Sequence, residues 1–483
     1  MTLLILLATP LAAALASLAA RKKLVMLEIT AALAALVEFG CVMGIIATTF
    51  SSGSDRYGSF LAVDSLSAVI LITVALVGLG ASFYSIGYLR EEVRKQIIGF
   101  KRVRQYYVLL HLFLMAMFFA ILTSSPIGMW IAIEATTLST AFLISFYNKP
   151  SSMEAAWKYL IINSIGLLLG FFGTLLFLAS TANAGVDQFI SWGALTGSAA
   201  TMNPMLAKIA FIFVLIGYGT KVGLAPMHTW LPDAHSKAPS PISALLSGSL
   251  LNVAMLAVLK FKIVADTAGA SAFSQDLMIY FGVGSLVIAA FIILGQKNYK
   301  RLFAYSSIEH MGIVAIGVGF GGLGTFAALL HMVYHSLVKS ALFFSAGNIF
   351  LKYSSTKIAK VRGILTTLPV TGVILLVGFL AITGMPPFGI FITEIYILSA
   401  GVAGHLPIVL AVLLLLVLVF AGFLRHIVAM AFDRQSEPLP AGETSFFTIA
   451  PAILLLAVFI AAGFYLPAPL ERFVTVASSL ING

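Results

Sequence analysis

The sequence predicts an all-α polytopic membrane protein of about fourteen transmembrane helices, with two inverted five-helix repeats whose broken helices are numbers seven and twelve. Three observations carry that prediction. Hydrophobic residues make up 60% of the 483, charged residues only 10%, and mean hydropathy is +1.06; a soluble chain of this length would carry about a quarter charged residues. Apolar windows of about 20 residues, enough to cross a bilayer, recur along the whole chain. Two of these windows, five spans apart, are interrupted by proline.

Breaking the windows at Gly, Pro and charge clusters gives spans at 2–20, 24–49, 63–89, 106–124, 126–147, 154–180, 205–233, 240–262, 277–296, 299–320, 323–351, 365–400, 405–430 and 446–466. Several exceed a straight crossing, so they must tilt, break or run past the bilayer. The first is not a secretory signal, because Arg21, Lys22 and Lys23 follow its apolar run instead of preceding it. Such charges stay cytoplasmic, which puts the N-terminus outside and, after fourteen crossings, the C-terminus outside too. Alternate loops then hold 20 Lys/Arg on the inside, among them Lys237, Lys300 and Arg301. Only Arg56, Lys208, Lys262 and Arg472 fall outside. One missed span would scramble that division. The net charge of +10 therefore reflects membrane topology and not nucleic-acid binding.

The expected organisation is three N-terminal helices over 1–104, a first five-helix repeat over 105–265, a second over 266–432, and helix fourteen with the C-terminal tail over 433–483. Glycines 319, 321, 322 and 324 read as a tight turn between two helices. The lone cysteine, Cys41, cannot make an internal disulfide, a paired redox motif or an iron–sulfur site. No Walker-type or dinucleotide-binding glycine motif is present. The chain is expected to hold no cofactor and no metal of its own.

Lys158, Lys221, Lys260 and Lys339 are left at membrane depth, with Glu134, Glu394 and, nearer the cytoplasmic side, Glu309. His228, His235, His310, His331 and His335 lie in or near the same belt. A charge at the bilayer centre costs from about 3 to over 10 kcal/mol, so it normally faces a bundle interior and marks an ion or proton path. Bland readings compete at several positions. Glu134 could bond neighbouring hydroxyls. Lys158 stands four residues after Glu154 and could simply pair with it. Lys260 could snorkel outward beside Lys262. Glu309 and His310 could be capping or interfacial groups. His331, His335 and Lys339 recur every four residues on one helix face, which favours a proton wire. Zinc binding by the two histidines is weakly supported, since no Asp, Glu or Cys joins them on that face.

Pro226 lacks an N–H, frees the Val222 carbonyl and breaks span seven just after Lys221. Pro386 and Pro387 break span twelve, and Glu394 follows two turns later. Interrupted backbone survives in a membrane only where protein or water satisfies it, and paired interruptions of this kind point to an ion site between inverted repeats. Lys221, Pro226 and His228 are expected to carry the membrane chemistry there, with Asp233, His235 and Lys237 near the inner face.

The runs WIAIEATTLSTAFLISFY, SSMEAAWKYLI, GTKVGLAPMHTWLPDAHSKAPSPISALLSG, RLFAYSSIEHMG, HSLVKSALFF and GMPPF resemble the antiporter-like proton-pumping subunits of respiratory complex I. They look most like component F of membrane-bound [NiFe]-hydrogenases of the hydrogenase-four and formate hydrogenlyase type. The resemblance implies a charged axis along the membrane midplane. In it Glu134 pairs with Lys221, and Lys260, His228, His331, His335, Lys339 and Glu394 continue the path. It implies partner membrane subunits that carry the redox centres, a prokaryotic inner membrane, and protons as cargo, with Na⁺ left open as a second cargo. The chain stops at Gly483 soon after span fourteen, without the further long amphipathic helix of the most distal complex I subunit, which fits inner-type or single-length relatives. A Na⁺/H⁺ antiporter subunit of the Mrp type fits the same length, and a passive membrane scaffold is a third reading.

Overall fold

The computed structural model describes residues 1–20, 23–179, 191–434 and 439–483. Arg21 and Lys22, on which the expected orientation of the first span rests, lie outside them. The elements in chain order are α1 (Thr2–Ala19), α2 (Leu24–Ser52), β1 (Asp55–Tyr57), β2 (Leu61–Val63), α3 (Ser65–Arg94), α4 (Phe100–Leu122), α5 (Pro126–Ile144) and α6 (Pro150–Ala179). Then come α7 (Trp192–Ser198), α8 (Pro204–Val222), α9 (Trp230–Lys237), α10 (Ser240–Leu245), α11 (Leu251–Ala265), α12 (Ser271–Leu294) and α13 (Tyr299–Phe320). The last are α14 (Leu323–Tyr353), α15 (Ile364–Thr367), α16 (Pro369–Ile382), α17 (Gly389–Phe432), α18 (Phe446–Phe464) and α19 (Ala468–Asn482). β1 and β2 form a small antiparallel hairpin.

Among the described residues, twelve helices are long and apolar enough to cross a membrane, and this is a multi-pass membrane protein. Two of the twelve, 240–294 and 389–432, are longer than any single crossing. They bend where the sequence windows divide them: at Gly269 (φ +83°) and at His405 (φ −136°). Other boundaries differ from expectation. α4 begins at Phe100, so Lys101, Arg102 and Arg104 sit on its first turns instead of in a loop. The hairpin and the amphipathic α19, which packs on α3 and α14, are not foreseen by a hydropathy window. Of the four glycines near 320, only Gly321 (φ +73°) and Gly322 (φ +51°) make the turn, while Gly319 and Gly324 are helical.

The helix starts follow local chemistry. Asp64 caps α3, Ser125 with Pro126 starts α5, Asn203 with Pro204 starts α8 and Asn298 starts α13, each side chain accepting from the first-turn N–H groups. α13 is wholly enclosed by other helices and α14 nearly so, whereas α1, α2 and α18 present most of their surface outward. Glycines let α6 and α8 touch backbone to backbone. A Cβ at Gly217 would lie 2.2 Å from the Gly170 nitrogen, and one at Gly166 would lie 2.6 Å from the Thr220 side chain. A π-helical turn at Leu246–Leu250 lays the middle of the chain against α14, where a Cβ at Gly248 would meet Ser340 Oγ at 2.3 Å. Asn252 donates there to Ser336 Oγ (2.7 Å) and the Met332 carbonyl (3.2 Å).

Gly217→Ala is therefore expected to force α6 and α8 apart and cost about 1–3 kcal/mol, visible as a lowered Tm in detergent. Gly40→Ala, where nothing lies within 4 Å of the new Cβ, should leave Tm unchanged.

Candidate functional site

Two buried lysines each reach a carboxylate through a single hydroxyl. Glu134 and Thr137 stand one turn apart on α5. From the last turn of α8, the fully buried Lys221 donates to Thr137 Oγ1 (2.9 Å) and to the Tyr159 hydroxyl (2.6 Å). Its ammonium also lies 4.6 Å from the Tyr159 ring centroid, a cation–π distance. Thr137 donates onward to Glu134 Oε2 (3.3 Å), and Ser164 donates to Glu134 Oε1 (2.9 Å). The expected ion pair is thus corrected in one respect: amine and carboxylate do not touch, because a hydroxyl stands between them. A hydroxyl can accept from the ammonium and donate to the carboxylate at once, so the three groups form one polarised chain.

The second bridge repeats this order. Lys339 donates to Ser306 Oγ (2.7 Å) and to the Phe303 carbonyl (3.3 Å), and Ser306 donates to Glu309 Oε2 (3.4 Å). Glu309 and His310 are both buried on α13, which corrects the capping or interfacial reading. His310 Nδ1 lies 2.9 Å from His331 Nε2, and His331 Nδ1 lies 2.9 Å from Thr393 Oγ1. His310 Nε2 is 3.5 Å from Glu309 Oε2. Glu309, His310 and Glu394 bring one potential ligand atom each within 4.8 Å of one another. The ring of His335 is 5.2 Å from that of His310, with both nitrogens free of hydrogen bonds. Of the three groups stacked on α14, His331 and Lys339 bond to α13 and α17, not to each other down their own helix, and His335 bonds to none of them.

At the first interruption two backbone groups find side-chain partners. α8 stops at Gly223 (φ +86°), the Trp230 indole donates to the Thr220 carbonyl (2.8 Å), and the Ala225 N–H donates to Ser285 Oγ (2.9 Å). The Ala225–Pro226 and Pro386–Pro387 bonds are cis. In the second break Gly384 (φ +65°) has no room for a side chain, because a Cβ would lie 2.0 Å from Glu394 Oε2. His228, beside the first break, is buried with Nδ1 unpartnered. His235 is expected near the inner face of the membrane. It is fully buried, stacked on Phe343 of α14 at 4.8 Å, with both ring nitrogens unpartnered.

Two expected site lysines lie elsewhere. Lys158 is half-exposed and pairs with Glu154 (2.6 Å) and, at 3.5 Å, with Asp233, which Arg301 also holds. This is the i,i+4 reading, extended by one partner. Lys260 ends 2.8 Å from Asp64, beside the β1–β2 hairpin, with the Trp192 ring 5.5 Å away, which is the snorkelling reading. Partial burial would raise the Asp64 carboxyl, but Lys260 and the Ser67 N–H (2.7 Å) hold it below its ordinary value. Sequence reasoning missed Thr137, Tyr159, Ser164, Ser306 and Thr393, whose types carry no signal of their own. It also missed Glu92 and Lys300. Glu92 accepts from Tyr147 (2.5 Å) with its other oxygen unpartnered, and Lys300, read as a loop charge, is buried and donates to the Ala238 carbonyl (2.9 Å).

Broken helices around buried amines and carboxylates define a polytopic membrane protein of the ion-translocating class. The chain belongs to the family described as NADH:quinone oxidoreductase/Mrp antiporter, TM, whose model matches residues 123–421. A hydrogenase-4 component F homolog from Methylacidiphilum infernorum is 39% identical over 436 residues, 89% of this chain and 90% of that protein. A chain of the membrane-bound sulfane sulfur reductase, an archaeal respiratory membrane complex, superposes with a TM-score of 0.86 at 24% identity, covering 99% of this chain and 97% of that one. A chain of the Mrp complex from Dietzia sp. DQ12-45-1b superposes at 0.85 with 18% identity, covering 100% and 97%. At those identities the two structures establish the fold.

Asp64→Asn is expected to remove a pH-dependent stabilisation. In the native protein it is complete above the ordinary carboxyl value of 3.8 and lost as pH falls through the depressed native one. The carboxylate is 46% exposed, so the effect is at most about 1 kcal/mol. Thermal unfolding of both proteins in detergent should show their difference shrinking to nothing at the acid end.

Proposed function

We propose that this chain is the proton-translocating, antiporter-like membrane subunit of a respiratory-type oxidoreductase complex, with the redox chemistry on partner subunits. The observation that carries the reading is the pair of lysine–hydroxyl–glutamate bridges, one in each half of the chain, the second adjoining the buried His310–His331–Thr393 cluster and Glu394. A lysine bridged to a carboxylate in a dry interior holds its proton only as long as that carboxylate stays close and charged. When a neighbouring subunit changes charge, the Glu134–Thr137–Lys221 chain tightens or loosens, and the proton affinities of Lys221 and Glu134 change together. Protons then pass by way of His235 and Lys339 to the histidine cluster and out at Glu394. His228, His335, Glu309 and the prolines 226, 386 and 387 support this path. Lys158 and Lys260 stand at its margins as structural ion pairs.

The reading includes fourteen crossings, counted by dividing the two longest helices at their bends. It also includes two inverted repeats, α4 to α11 and α12 to α17, with each break in the fourth span. Glu134 and Glu309 then fall on corresponding spans, five and ten. The membrane is the prokaryotic inner membrane with both termini outside. Identity of 39% to a hydrogenase-4 component F homolog over nine-tenths of both chains, against 18% to the Mrp chain, favours a hydrogenase-type assembly over a Na⁺/H⁺ antiporter subunit.

The test is redox-driven proton uptake by inverted vesicles carrying the assembled complex. Lys221→Ala and Glu134→Gln should abolish it. Thr137→Val and Ser306→Ala, which keep size but delete the bridging hydroxyl, should each slow it about tenfold or more. Lys158→Ala should leave it near the native rate. Native rates in both hydroxyl variants would sink the bridged route.

Gly384→Ala is expected to displace the Glu394 carboxylate and lower the same rate, while assembly, followed by native gel, persists.

A further inference from the structure

One consistent set of hydrogen-bond directions around His310 starts at Thr393. There the hydroxyl donates to the Ile390 carbonyl (2.8 Å) and Oγ1 accepts from His331 Nδ1 (2.9 Å). A neutral His331 with its proton on Nδ1 presents a bare lone pair at Nε2. His310 Nδ1, 2.9 Å away, must therefore donate to it. That leaves a neutral His310 with a second bare lone pair, on Nε2, which is fully buried, has no hydrogen-bond partner, and lies 3.5 Å from Glu309 Oε2. The carboxylate of Glu394 completes the group, all three potential ligand atoms lying within 4.8 Å of one another. A lone pair and two carboxylates, each more than nine-tenths buried, are all acceptors. A cation among them would satisfy all three at once; without one, the carboxyls must carry protons.

We propose that Glu309, His310 and Glu394 form a binding site for a divalent transition-metal ion, zinc in particular, inside the buried network. The donor set selects the ion. One imidazole nitrogen with two carboxylates suits zinc, whereas Na⁺, Mg²⁺ and Ca²⁺ favour oxygen-only sets. Two carboxylates neutralise a divalent charge, which matters where water is excluded. Tetrahedral zinc with ligands at about 2.0–2.1 Å sets them about 3.3 Å apart. The Glu309–His310 pair is already at 3.5 Å, so closure falls mainly to Glu394. His331 and Thr393 are the outer hydrogen-bond partners that fix the His310 tautomer, as metal-bound histidines require. Access lies through the second helix break. Gly384 abuts the Glu394 carboxylate, and Pro386 and Pro387 are exposed. In the bound form zinc replaces the Lys339 ammonium as counter-ion to Glu309. Zinc at the His331–His335 pair is only weakly supported, for want of an acidic partner on that face; the fold supplies two such partners to His310.

Binding is independent of the transport reading, whereas its consequence, arrest of proton movement through Glu394, rests on it. The experiment uses the full chain purified in detergent, loaded with zinc chloride, desalted and analysed for zinc by atomic emission, with a zinc K-edge absorption spectrum. Native protein should keep one more zinc per chain than Glu394→Gln or His310→Gln, show imidazole and oxygen but no sulfur in the first shell, and gain several degrees of Tm that both variants lack. Thr393→Val, which keeps all three ligands but releases His331, should weaken binding about 10–100-fold. Glu394→Gln preserves shape, so a folding failure in His310→Gln would not blur the result. Equal zinc content in native protein and Glu394→Gln, or a first shell without imidazole, overturns the site. Micromolar zinc should also halt proton uptake by vesicles of the assembled complex. Zinc bound with uptake unimpaired would leave the site standing and overturn the route through Glu394.

Discussion

The donation from Lys221 to Thr137 and Tyr159 fixes a buried amine at the end of a helix that stops inside the protein, and much of the first half of the chain is arranged around it. An unpaired ammonium there would cost several kcal/mol, so its partners have to be rigid. Tyr159 is held edge-on against Trp230, ring centroids 5.1 Å apart, and Trp230 in turn donates to the Thr220 carbonyl at the break, which the Gly223 N–H also reaches. The glycines 166, 170 and 217 bring α6 and α8 into backbone contact, which is what lets Tyr159 on one reach Lys221 on the other. Pro226, the glycines and two aromatic residues thus serve one geometric end: a buried lysine linked to a carboxylate through a hydroxyl.

The same solution recurs in the second half with its parts in different order. Thr137 follows its glutamate by three residues, whereas Ser306 precedes its own by three, so each hydroxyl sits one turn from the carboxylate on the same helix. The lysine comes from another helix in both cases, so each bridge responds to the spacing between two helices. The halves are joined by polar contacts that leave little slack. Ser247 meets Ser307 at 2.7 Å, and Asn252 bonds to α14 twice. A shift of α14 would therefore reach Lys339 and His331 together.

The charged groups outside this network mark its limits. Lys158, Asp233, Arg301 and Glu154 tie α6, α9 and α13 together in partly exposed surroundings, where ion pairs are weak and tolerant. Lys260 and Asp64 do the same at the opposite end of the bundle. Lysines at similar hydropathic depth thus divide into two kinds: those paired directly with a carboxylate near solvent, and those separated from one by a hydroxyl in the interior.

What the sequence by itself determined is everything set by local runs of residues. The apolar windows, the proline breaks after Lys221 and before Glu394, the membrane class and the buried status of Lys221, His331, His335 and Lys339 were all legible, because span length, missing N–H groups and charge at depth are properties of short segments. Tertiary structure alone decided which of those groups meet. Thr137 is 84 residues from Lys221, and Thr393 is 62 from His331, and a threonine in an apolar helix looks alike whether it caps its own backbone or bridges two charges. The same blindness put Lys260 on the expected path and gave Glu309 and His310 a capping or interfacial reading. Hydropathy measures how far along the bilayer normal a residue lies, whereas the site depends on which way each helix faces, and only packing sets that.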